Sequence, residues 1–159
     1  MQVVHIYAET GNTAPRSMLR KTGYVLEYIT PSGESITREQ FRDRDGTYNA
    51  ATLQMLTESL KRLKRPCEVH IHTQNRYILL MIDTRLEEWA KNGYCTAKGD
   101  KLAHWEDWEK LEQASAEHLL VPEPGEHAYL EWLQNEMKKP EKADKSQMKR
   151  PQQSQKVEE

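Results

Sequence analysis

The stretch WAKNGYCTAKGDKLAHWEDWEKL, residues 89–111, places three tryptophans around a polar loop that carries lysine. Asn92-Gly93 is a helix stop, because glycine adopts the left-handed conformation at little steric cost. The run 95–102 shows no apolar period and reads as a loop. Beyond it, Trp105, Trp108 and Leu111 recur at three-residue spacing and mark the apolar side of a second helix.

Outward from this point, the rest of the chain divides into short elements. Upstream, RLEEWAKNGY reads as a helix and NRYILLMID as a short, buried one. CEVHIHT reads as a strand with Val69 and Ile71 on one face. In TYNAATLQMLTESLKRLKRP, Leu53, Leu56, Leu60 and Leu63 form one helical stripe, with Thr47 as the cap and Pro66 as the stop. Tyr24, Leu26 and Tyr28, then Ile36, flank Pro31-Ser32-Gly33-Glu34 and predict a hairpin. RDRDG reads as a polar break after it. Val3 to Ala8 alternates as a first strand and delivers Glu9 into a turn. Downstream, HLLVP predicts a strand, and EPGEHAYLEWLQNEMKK a final helix with Tyr129, Leu130, Leu133 and Met137 as its apolar face. The order β-β-β-α-β-α-α-α-β-α predicts an α/β domain, a mixed sheet with helices on both faces.

Composition sets the limits. The chain has 159 residues, 36% of them hydrophobic, which suits one domain with an appendage. Residues 1–137 are expected to form the domain. Residues 138–159 are rich in Lys, Gln, Glu and Pro with no aromatics, and predict a disordered tail. Net charge is −2, distributed as +3 over residues 1–85, −8 over 86–137 and +3 over 138–159. Such a profile excludes a uniformly basic, non-specific nucleic-acid binder. The two cysteines, Cys67 and Cys95, set no disulfide framework. No signal peptide or membrane-length apolar run stands out, so a cytoplasmic protein with reduced thiols is expected.

This order of elements, with two local stretches, resembles the type 1 ribonuclease H family. Trp89, Gly93, Tyr94, Thr96, Ala97, Lys98, Asp107 and Trp108 sit at the family's spacings, in the segment that forms its basic handle. In CEVHIHTQNRYI, the family's Thr-Asp-Ser-x-Tyr becomes Thr73-Gln74-Asn75-Arg76-Tyr77. The resemblance covers residues 2–137 and implies a ribonuclease-H-like fold with a five-stranded mixed sheet.

The family hydrolyses the RNA strand of RNA–DNA hybrids with two Mg²⁺ ions that clamp the attacking and leaving oxygens. Mg²⁺ demands anionic oxygens in octahedral geometry, which four carboxylates supply. Matched position by position, the first falls on Glu9, the second on Thr52, the third on Gln74 and the fourth on Glu131. Two acids are thus lengthened and two replaced by neutral groups. Misplacement by ~1 Å costs on the order of 10²-fold in rate, so weak or absent hydrolysis with Mg²⁺ or Mn²⁺ is expected. Gln74 retains a carbonyl and Thr52 a hydroxyl, which leaves one weakly held metal open. The family's mobile loop histidine corresponds to His127, expected here on the final helix.

The binding positions match better. Thr47 and Asn49 correspond to contacts with the nucleic-acid backbone, and Lys91, Lys98 and Lys101 make a thin handle. Trp89 and Trp105 either pack beneath it or face a sugar, whereas Trp108 and Trp132 are expected in packing. Modest, salt-dependent affinity follows. His5, His70 and His72 with Glu9 offer a further reading, an imidazole–carboxylate cluster suited to Zn²⁺. Against it stand histidines that are hydrogen-bonded under the last helix or open to solvent. Three functions remain: a hybrid-binding member with a degenerate hydrolytic site, a slow but active hybrid ribonuclease, and a protein-interaction module using the acidic 86–137 surface.

Overall fold

The computed structural model describes residues 1–140. Five strands, β1 (Gln2–Thr10), β2 (Met18–Ile29), β3 (Ser35–Gly46), β4 (Cys67–Thr73) and β5 (Leu119–Pro124), form one sheet in the order β3-β2-β1-β4-β5. β1, β2 and β3 pair antiparallel, and β4 runs parallel to both β1 and β5. The helices are α1 (Tyr48–Lys61), α2 (Arg76–Thr84), α3 (Leu86–Asn92), α4 (Trp105–Ser115) and α5 (Leu130–Lys138). Element order and sheet type agree with the sequence reading.

Period-two alternation divides β1 between two cores. Val4, Ile6 and Ala8 meet Leu53, Leu56 and Leu60 of α1, with Trp108 and Leu111 of α4 in the same cluster. Tyr7 joins Val25, Leu133 and Met137 under α5 on the opposite side. His5 and Glu9 alternate onto that α5 side. Thr47 caps α1 through a bond from the Ala50 N–H, and Gly93, with φ 76°, ends α3.

Several expectations change. RDRDG is not a break: β3 continues through it, each residue paired with β2 up to Met18↔Gly46. β3 is an edge strand, and charged side chains suit such an edge because they discourage further pairing. Arg42 and Arg44 alternate onto Glu58 of α1. α2 buries only Ile78 and Leu79, leaving Leu80 exposed, so it is a half-buried helix. The final helix begins at Leu130, because β5 extends to Pro124 and Gly125, with φ 108°, turns the chain. Trp132, expected in packing, is 37% exposed and packs from the surface, its ring 5.8 Å from that of Phe41, which covers Gly23. Of the expected tail, Lys138 closes α5, and 141–159 lie outside the described residues. No helix among the described residues is long and apolar enough to cross a membrane.

Candidate functional site

β1 and β4 end side by side, and the carboxyl ends of parallel strands form a crevice suited to ligands. Glu9 lies there, 1% exposed. The Gln74 backbone N–H donates to its Oε2 at 3.0 Å, and Gln74 Nε2 to its Oε1 at 3.3 Å. His127 Nε2 meets Oε2 at 2.7 Å. His127 Nδ1 accepts from the Tyr129 N–H at 3.2 Å, so the Nε2 nitrogen carries the proton and donates to Glu9. His127 thus stands in the loop before α5, not on the helix as expected, and its imidazole is as buried as the carboxylate it meets. Both Glu9 oxygens are engaged by protein N–H groups.

Tyr48, at the start of α1, faces the same crevice. Burial, and then the nearby Glu9 carboxylate, push its phenol up to about 12, so it stays protonated at neutral pH. Next to it lies a neutral network. Thr52, 1% exposed, donates to the Tyr48 carbonyl at 2.9 Å and accepts from Asn75 Nδ2 at 3.0 Å. The second Nδ2 proton of Asn75 goes to Asn49 Oδ1 at 3.0 Å, while its Oδ1 caps α2 by accepting from Ile78. Asn75 therefore spends its whole amide, and Thr52 sits in a closed set of uncharged hydrogen bonds. Glu131 is exposed on the first turn of α5; Glu9 is bonded to Gln74 and His127 instead.

This donor set does not fit a two-Mg²⁺ centre. Hard divalent ions need several free anionic oxygens, and here one buried carboxylate is already hydrogen-bonded while Thr52 and Gln74 are uncharged. Among the described residues, no group of three or more His, Cys, Asp or Glu could hold a metal ion. The histidines do not converge either. β1–β4 pairing sets His5 opposite His70, yet His5 Nδ1 bonds His72 Nε2 at 2.9 Å. His70 bridges Glu123 at 2.9 Å and Glu68 at 2.6 Å. Burial, then His5 and His127, push His72 down to about 4. Burial also lowers His5. It opposes charge on His70 as well, but the bonds to Glu123 and Glu68 outweigh it and leave His70 raised.

The expected binding residues divide between two places. Thr47 Oγ1 meets His104 Nε2 at 3.0 Å, so the N-termini of α1 and α4 come together. Asn49 lies in the first turn of α1, held by Asn75. The handle is thinner than its sequence: Lys91 pairs with Glu87 at 3.6 Å, and Lys101 donates to the Gly93 carbonyl while lying 4.3 Å over the Trp105 ring. Lys98 is exposed on the intervening turn. Trp89 packs edge-on against Trp108, beneath the handle. Sequence reasoning missed Tyr48, Asn75 and His104. Asn75 carried a usable signal, since asparagine directly before an apolar run is a helix cap; His104 carried none.

No family model matches the chain. The ribonuclease H of Chelativorans sp. is 30% identical over 123 residues, which cover 76% of this chain and 71% of that protein. The ribonuclease HI of Xylella fastidiosa is 32% identical over 76 residues, 48% of this chain and 51% of its own, so the match spans about half of that relative. Among solved structures, LC9-RNase H1, described as a type 1 ribonuclease H with the type 2 active-site motif, superposes with a TM-score of 0.67 at 21% identity, over 85% of this chain and 70% of that one. Similarity at this identity speaks for the fold alone; the longer alignment with the Chelativorans protein carries the assignment. The chain belongs to the type 1 ribonuclease H family.

Proposed function

We propose that the protein binds nucleic acid of the RNA–DNA hybrid class, and that metal-dependent hydrolysis of the RNA strand is weak or lost. The observation that carries the second half is the state of Glu9, whose two oxygens take bonds from Gln74 and His127 while Thr52 and Gln74 stand at neutral positions. To admit Mg²⁺ or Mn²⁺, Glu9 would have to exchange buried hydrogen bonds for a cation with only Glu131 as a further acid. Binding is supported by the joined N-termini of α1 and α4, where aligned N–H groups favour a phosphate. Thr47, Asn49 and His104 supply polar contacts there, with Lys98 as the freest handle cation and Lys91 and Lys101 beside it. The domain responsible is residues 1–137, in a cytoplasmic protein.

Hybrid binding measured by fluorescence anisotropy at low salt, with cleavage followed in Mg²⁺ and in Mn²⁺, tests both halves. Measurable binding with cleavage at background is the expected result. No binding at low ionic strength contradicts the first half, and would favour a protein-interaction module presenting the exposed acids Glu87, Glu88 and Asp100. The retained acid at the end of β1, together with relatives named ribonuclease H, favours a second reading: an active hybrid ribonuclease working through Glu9 and Glu131. Cleavage that disappears in Glu9→Gln identifies it.

A further inference from the structure

A cleft of about 300 Å³ opens between the end of β3, the second half of α1 and the start of α4. Its walls carry Arg44, Thr57, Glu58, Lys61, Asp107 and Lys110, and none of the groups that hold Glu9. Thr57 is 8% exposed, and its Oγ1 is, among the described residues, the buried side-chain polar atom that lacks a hydrogen-bond partner. Buried hydroxyls are almost always paired, and an unpaired one is costly, so an acceptor brought into the cleft would be favoured.

The charges decide which acceptor. Glu58 is shared by Arg42 and Arg44, both of which donate to it. Lys61 and Lys110 are exposed at the rim. On the cleft walls Arg44, Lys61 and Lys110 stand against Glu58 and Asp107, an excess of one positive charge, and with Glu58 already held by Arg42 and Arg44 the two rim ammonium groups face Asp107 alone. Burial, the largest influence on Asp107, raises its carboxyl from the usual range.

We propose that this cleft binds a phosphate oxyanion, the Thr57 hydroxyl donating to one oxygen and the Lys61 and Lys110 ammonium groups to others. Its source is a backbone phosphate of the bound nucleic acid, an assignment that rests on the hybrid-binding reading above. The seam between α1 and α4 links the two places, with Thr47 and His104 at one end and Thr57 and Lys110 further along. Ten residues of helix separate Thr47 from Thr57, ~15 Å at 1.5 Å per residue. A duplex lying along the seam covers that in about four rises of 3.4 Å.

The test is a titration of the isotope-labelled full chain with inorganic phosphate, followed by amide NMR and repeated with an RNA–DNA hybrid as competitor in metal-free buffer. Saturable shifts at Thr57 and Lys110 that the hybrid abolishes are the expected result. Lys61→Gln and Lys110→Gln, made singly, should then each weaken phosphate roughly tenfold, the size of one charge-assisted hydrogen bond. Thr57→Val should weaken it without lowering the urea midpoint, which separates a ligand contact from a packing role. A hybrid that binds but fails to displace phosphate overturns the backbone source and leaves free phosphate as the ligand. A hybrid that does not bind at all, with phosphate binding intact, overturns the functional reading and the backbone source while the oxyanion cleft stands. No saturable shift at Thr57, or unchanged affinity in the lysine variants, overturns the cleft itself.

Discussion

Glu9 and His127 show how a single contact between buried side chains governs both stability and chemistry. The imidazole donates to the carboxylate from 118 positions away in the chain, and neither side chain meets water. Replacing His127 with Ala leaves a buried acceptor short of a donor, so urea unfolding should register a loss of about 1–3 kcal/mol. Thr52→Val should cost a similar ~1–3 kcal/mol, since one Asn75 proton then has no acceptor. His72 makes a pH prediction. Its folded value near 4 lies below the ordinary 6.5, so between these values the unfolded chain binds the extra proton. Stability from this group is therefore fully present above pH 6.5 and is lost as pH falls toward 4. His70, shifted the other way, opposes part of the slope. Urea midpoints at pH 7, 6 and 5 should fall in the wild type and fall less in His72→Gln.

At the scale of elements, legibility in the sequence followed how local the cause was. The Thr47 cap, the Gly93 stop and the Val69–Ile71 strand face each depend on a few neighbouring residues, and each was visible. The second half of β3 was not, because what makes residues 42–46 extended is pairing with β2 and the grip of Glu58, while their composition is that of a loop. The start of α5 was misplaced for the same reason: pairing of Pro124 with Thr73 prolongs β5 and pushes the helix downstream. That shift puts His127 in a loop, from which it reaches Glu9. The bonding partners of Glu9 were not readable, since Gln74 lies 65 residues from it in sequence and meets it only through the pairing of β1 with β4. Thr47→Ala tests the element that joins the two helix ends. Losing the cap should lower stability by ~1 kcal/mol and weaken hybrid binding together with it, measured by urea titration and anisotropy on the same sample.

For the whole molecule, charge is unevenly spread: residues 86–137, which include the handle, carry −8, while residues 1–85 carry +3. Affinity for a polyanion must come from a few placed cations instead of a broad field. The plot of log affinity against log salt should therefore be linear and no steeper than about −4, at ~0.9 per phosphate neutralised. The proposed loss of hydrolysis on a retained fold would separate scaffold from chemistry. That separation is tested most directly by single-turnover cleavage of an RNA–DNA hybrid in Mg²⁺, with the wild type and Glu9→Gln side by side at saturating protein. Background cleavage by both, with the hybrid fully bound, is the expected result. Rapid cleavage by the wild type that vanishes in Glu9→Gln would contradict it.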